Sequence, residues 1–210
     1  MDFPLYFRSR QGEMVHLLKQ ITALESPTDD KKAVDACSAF VAKEFRKLGC
    51  KITTLPQEDI GDLTEIEFAP GRLKDADDEI LVLAHIDTVW PVGKIARMPF
   101  YISGNKLFGP GVLDMKSGLV ILLSALATMR SLSLKPRKRI KVFKTPMQLV
   151  PLIGGSGPSH PFVHDLGLPV ATAGLGHPDT RAHAPNENIR IDLYLKHARH
   201  MARVIKEFAK

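Results

Sequence analysis

Four side chains have the types and the spacing to hold a metal ion or to work beside one. His85 and Asp87 stand two residues apart at the end of the apolar run Ile80-Leu81-Val82-Leu83-Ala84, which has the length of a buried strand. Asp114 lies in Gly109-Pro110-Gly111-Val112-Leu113-Asp114-Met115-Lys116-Ser117-Gly118, at the head of a long apolar helix. His183 lies in Arg181-Ala182-His183-Ala184-Pro185-Asn186-Glu187, ahead of a predicted C-terminal helix. A neutral imidazole coordinates a divalent metal directly. Asp87 can take the other ring proton of His85 or position a base. Glycines on both sides of Asp114 permit close backbone approach, and a carboxylate held there can bridge two metals. In open α/β sheets, ligands bind outside the carboxyl ends of strands.

Each residue alone has an ordinary explanation. His-x-Asp also describes a satisfied polar strand end, and short motifs match by chance. An aspartate before a helix is commonly its N-cap. His160, His164 and His177 fall in loops and His197 and His200 on the last predicted helix; all five read as surface or packing histidines.

The elements that must position these residues follow from apolar spacing. Helical periodicity covers 11–24, and again 30–48, where Val34, Cys37, Val41, Phe45 and Leu48 share a stripe and Gly49 ends the run. Ser26-Pro27-Thr28 breaks the chain between them. Alternation predicts strands over 51–55 and 63–68, then a charged loop over 71–79. Tyr101 to Phe108 reads as a hairpin turning at Gly104-Asn105. The helix after Asp114 carries Leu119, Leu122, Leu123, Leu126 and Met129 and is apolar on most faces. Further strands are predicted at 139–143, 148–153 and 170–175. A tight glycine loop falls at 154–158, and 161–166 is too short for much helix. Asp192 is placed as the cap of a final helix bearing Tyr194, Ala198, Met201, Ile205 and Phe208. The sum is an α/β fold with a mixed, mostly parallel sheet flanked by helices.

With 210 residues the chain suggests one domain. No apolar run reaches the roughly 18 residues of a membrane span, and the N-terminus lacks the order of a signal peptide. Cys37 and Cys50 read as free thiols of a cytoplasmic protein. The net charge of +6 is concentrated in Lys135 to Lys144. With one aromatic and no reader motif around it, that segment reads as a solvated connection into a strand, with neither nucleic acid nor membrane as partner.

Taken together, the segments resemble a known family. Leu83-Ala84-His85-Ile86-Asp87-Thr88-Val89 resembles the first metal motif of the zinc metallopeptidases that include glutamate carboxypeptidase, acetylornithine deacetylase, succinyl-diaminopimelate desuccinylase and aminoacylase. Gly109 to Gly118 is similar to the second motif. Gly154 to Pro158 followed by Arg181 to Glu187 is similar to the C-terminal motif. The resemblance implies zinc, one or two ions, with cobalt or manganese able to replace it. It implies that Asp114 bridges two ions, that His85 and His183 each bind one, and that Asp87 orients His85. It further implies water attacking the carbonyl of a small peptide or an N-acyl amino acid.

The chain departs from that family after the 139–143 strand. A Glu-Glu pair, one member the general base and the other a zinc ligand, would follow there, then an inserted lid that commonly supplies the dimer contact. From Met115 through His164 the sequence has no Asp or Glu at all. The reading is a single metallopeptidase-like catalytic domain over 1–210, internally deleted near 144–147. His85, Asp114 and His183 shared between two ions give fewer protein ligands than the three a catalytic zinc normally keeps. Either Asp165, Asp179 or Glu187 substitutes, or the second ion is weak or absent. Two functions are therefore expected as rivals: an impaired amide hydrolase, and a non-catalytic metal-binding or interaction protein on the same scaffold. With the usual dimer element absent, oligomerisation is left open.

Overall fold

The computed structural model describes residues 3–69, 79–134, 138–144, 160–171 and 174–208. Two helices not foreseen from spacing, α1 (Phe3–Ser9) and α4 (Lys94–Arg97), join four that were: α2 (Gln11–Ala23), α3 (Lys31–Lys47), α5 (Ser117–Ser131) and α6 (Ile191–Phe208). The strands are β1 (Lys51–Leu55), β2 (Leu63–Phe68), β3 (Glu79–Ala84), β4 (Tyr101–Ser103), β5 (Lys106–Phe108), β6 (Arg139–Lys144) and β7 (Asn188–Arg190).

Helix α3 shows how local sequence sets the boundaries. Asp30 caps it by accepting from the Ala33 N–H. Gly49, at φ +73°, turns the chain out so that its N–H reaches Arg46 O and the Cys50 N–H reaches Phe45 O, the paired bonds of a Schellman end. Val34, Cys37, Val41 and Phe45 are buried, as their spacing requires. A fully buried side chain such as Phe45 contributes roughly 1.5–3 kcal/mol by leaving water.

The main sheet runs β1-β2-β6-β3. It is mixed and helix-flanked: β3 pairs with β6 in parallel, while β1–β2 and β2–β6 are antiparallel. Ile66, Phe68, Ala84, Ile140 and Val142 lie in the core. Arg139 pairs with Glu67 and Glu79, and Lys141 with Glu65 and Glu79. Those pairs set carboxylates against two cations of the basic segment. The second sheet, β4-β5-β7, is small. Its hairpin was legible, with Tyr101 stacked on Phe108 at 4.6 Å, but its third strand was not.

Several expectations are corrected. Val112–Ser131 is 20 residues long with a mean hydropathy of 1.6, enough to cross a membrane by length and composition, so the sequence does contain such a stretch. Most of it is buried against the rest of the chain, with Leu119, Val120, Ala125 and Leu126 fully inaccessible. Val170, Ala171, Gly174 and Leu175 form no strand; Val170 is 41% exposed. Asp192 does not precede the last helix but sits in its first turn, where its carboxylate accepts from Asn105 and Arg190. Residues 161–165 make one wound turn, as short as expected. The predicted strand at 148–153 and loop at 154–158 lie outside the described residues.

Candidate active site

Three segments far apart in sequence are brought to one place by strand pairing. β3 delivers His85 one residue past its end. β5 ends at Phe108, one residue before the Gly109–Gly118 loop, and β7 begins at Asn188, one residue after Glu187. These two strands pair antiparallel, Phe108 opposite Asn188 and Leu107 opposite Ile189. The Asp114 and His183 loops therefore emerge from the same end of one ladder. A further bond, Gly109 N–H to Glu187 O at 3.2 Å, closes it.

The loop around His183 is fixed from within. The buried Asn188 side chain donates to the carbonyls of Asp179 and Asn186 and meets His177 Nε2 at 3.1 Å. His177 is thus part of the loop's frame. His183 takes φ +57° there. On the other loop Gly111 takes φ +73°, and a Cβ would stand 2.6 Å from Thr88 Cγ2, so only glycine fits.

Asp114 is not a helix cap. It lies in a wound turn, Val112–Lys116, where Asp114 and Met115 leave helical geometry, and α5 starts only at Ser117. Freed from the helix, its carboxylate stands between two imidazoles. Oδ1 is 2.9 Å from His85 Nε2 and Oδ2 is 2.8 Å from His183 Nε2. On the far side of the His85 ring, Nδ1 is 3.3 Å from Asp87 Oδ1 and 3.2 Å from Asp87 O. Burial opposes the charged form of His85, but its bonds to Asp114 and Asp87 outweigh it and carry its pKa up to about 9. The His85 bond likewise draws Asp114 down to about 2, against its own burial and with help from His183.

This donor set suits zinc in type: two imidazole nitrogens facing the two oxygens of one carboxylate. A zinc ion bound to such a nitrogen and oxygen at ordinary bond lengths and a tetrahedral angle sets them about 3.4 Å apart. The observed pairs are direct hydrogen bonds, so each must open by about half an ångström. Accordingly, no group of three or more His, Cys, Asp or Glu side chains among the described residues is already spread around a vacant ion position. His183, with its side chain 47% exposed, is the least packed of the three.

Two of the three suggested substitute carboxylates are already committed to other partners. Glu187 is buried and accepts from four N–H groups. Asp179 is paired with Lys106 and Arg181. Asp165 is exposed on the 161–165 turn. His160 and His164 stack on each other at 4.3 Å, and His197 bonds the carbonyl of Leu193.

Sequence reasoning missed the support of Asp87. Ser26-Pro27-Thr28 was legible only as a helix breaker. It runs parallel to the strand end: Thr88 N–H donates to Ser26 O at 2.8 Å, Thr28 N–H to Thr88 O at 3.2 Å, and Ser26 Oγ to Ile86 O at 2.8 Å. Thr28 Oγ1 then donates to Asp87 Oδ2 at 2.6 Å. Hydrogen bonds to a charged group are worth about 1.5–3 kcal/mol. Thr28→Val should destabilise the chain by about that amount in urea unfolding at neutral pH; an unchanged midpoint would mean the bond is not formed in solution.

Known proteins resemble this chain in sequence and in fold. Residues 81–147 match peptidase family M20/M25/M40. Carboxypeptidase G2 of Pseudomonas sp. (strain RS-16) is 26% identical over 133 residues, 63% of this chain. The chain spans about a third of that relative's length, 31%. Human carnosine dipeptidase 1 superposes with a TM-score of 0.60 at 19% identity, over 70% of this chain and 34% of that one. A dipeptidase of Saccharomyces cerevisiae gives 0.56 at 12% identity, over 68% and 33%. At those identities the two structures speak for the fold. His85, Asp87 and Asp114 all lie within the stretch that matches peptidase family M20/M25/M40.

Proposed function

We propose that the chain is a metal-dependent hydrolase of amide bonds in small peptides or N-acyl amino acids, slowed by the want of a carboxylate base. The observation that carries this reading is the Asp114 carboxylate spanning His85 Nε2 and His183 Nε2. Those three side chains would hold the ion, zinc first and cobalt or manganese in its place. Bound there, it would polarise the substrate carbonyl and ease deprotonation of water. Asp87 keeps the His85 ring turned so that Nε2 faces Asp114. The names of carboxypeptidase G2 and of the two dipeptidases support the substrate class. We read the chain as one catalytic domain shortened near 144–147, of which 145–147 lie outside the described residues. Two free, buried cysteines support a reducing, cytoplasmic setting.

A second reading, a metal-binding or interaction protein without turnover, is favoured by the commitment of Glu187 and Asp179 to other partners. Zinc titration against a competing chelator tests what the two readings share. The wild type should bind at least one ion per chain, and His183→Ala should weaken it by more than about 100-fold, beyond the loss typical of a residue outside the ligand set. No binding by the wild type, or equal binding by the variant, would overturn the assignment. Hydrolysis of dipeptides and N-acyl amino acids by the loaded chain separates the two readings.

A further inference from the structure

Glu187 has a carboxylate that the proposed chemistry leaves unused, yet it is 1% exposed. Burying an ionised carboxylate is costly unless its lone pairs are satisfied. Here they are. Oε1 accepts from Leu113 N–H at 2.9 Å and Asp114 N–H at 3.3 Å; Oε2 accepts from Trp90 Nε1–H at 3.0 Å and Gly111 N–H at 3.2 Å. The four donors come from two segments, the loop after His85 and the loop that carries Asp114. Glu187 itself follows His183 by four residues. One side chain therefore ties together the three stretches that supply His85, Asp114 and His183, and its bond to the Asp114 N–H acts on the backbone of the bridging residue itself.

Resting on the proposed metal site, we propose that Glu187 is a positioning residue: it holds Asp114 opposite His183 and so sets metal affinity without touching the ion. Its geometry demands an anion. Glutamine keeps one acceptor oxygen and turns an NH2 group toward donors that already point inward. Aspartate is one methylene short and must pull the loop toward β7 or release it. Either change should let Asp114 drift from His183 while leaving all three ligands in the chain.

The test is zinc affinity of the metal-free chain, by competition with a chromophoric chelator, for wild type, Glu187→Gln and Glu187→Asp. Removing a partner that orients a ligand typically costs about 10–100-fold in affinity, and both variants should fall in that range. Ile66→Val, in the core of the main sheet, is the control for lost stability and should bind zinc as the wild type does. A second readout needs no metal. Trp90 is the sole tryptophan, so Glu187→Gln should shift the emission of the metal-free chain, and Ile66→Val should not. If Glu187→Gln does not fold, Glu187→Asp carries the test alone. Wild-type affinity in a folded Glu187 variant, or an equal loss in Ile66→Val, would overturn the proposal. Failure of the wild type to bind zinc would instead overturn the metal site on which it rests.

Discussion

Asp114→Asn will move the protonation midpoint of His85 down from about 9 by roughly one to three pH units. The carboxylate that favours the imidazolium is removed while the burial that disfavours it stays. Imidazole signals in an NMR titration of the metal-free chain will show it directly. The same pair governs stability against pH. His85 is raised above its ordinary 6.5, so its contribution is complete below 6.5 and fades as pH rises toward about 9. Asp114 is lowered from 3.8 to about 2, so its contribution is complete above 3.8 and is lost as pH falls through about 2. The stability gap between wild type and variant should therefore be widest between pH 4 and 6.5 and narrow on both sides. At the proposed site, zinc would have to displace the His85 proton. Wild-type affinity should accordingly rise about tenfold per pH unit from 6.5 toward 9. A stability gap independent of pH, or a flat zinc affinity over that range, would mean that His85 and Asp114 are not paired in solution.

The parts of this site that were legible in the sequence are those written in residue type. His85, Asp87, Asp114 and His183 each have an ordinary structural use alone, and stand out because three segments together carry imidazoles and carboxylates in one order. Helix α3, strands β1 and β2 and the Tyr101–Phe108 hairpin were legible because their apolar spacing and turn residues agree. What was hidden depends on pairing between distant segments. β7 is three residues long and has no periodicity to read; it is a strand because Ile189 finds Leu107. The Ser26–Thr28 link is a helix break locally and a buttress for Asp87 only once it lies against Thr88. Asp114 carried the signature of a cap, and the chain around it declines to be helical. Glu187 was visible as a carboxylate close to His183, but its four donors come from positions 73 to 97 residues away. Local chemistry thus named the groups, and pairing between distant segments, the ladder between β5 and β7 and the Ser26–Thr28 link, assigned them partners.

With zinc loaded, the chain should hydrolyse its best dipeptide or N-acyl amino acid at about 10⁻¹ to 10⁻³ s⁻¹. The arithmetic begins from a typical turnover of about 10 s⁻¹ and removes the factor of about 10²–10⁴ that a positioned general base supplies. No Asp or Glu occurs from Met115 through His164. The carboxylates of Glu187 and Asp179 are occupied by donors they cannot release without disturbing the loops they hold. The expected rate is one in which Asp114, His85 and His183 still bind and orient but no side chain takes the proton. A small carboxylate from solution can fill that role, so the rate should climb with sodium acetate at constant ionic strength and pH. Asp114→Asn should abolish both the basal rate and the acetate effect, because the missing step is useful only where the ion is held. An ordinary rate near 10 s⁻¹, insensitive to acetate and lost in His85→Ala, would show that a base is present and that the chain has kept its full chemistry. Tight zinc binding with no turnover at any acetate concentration would select the non-catalytic protein, since the lost base would then be only part of what the scaffold lacks.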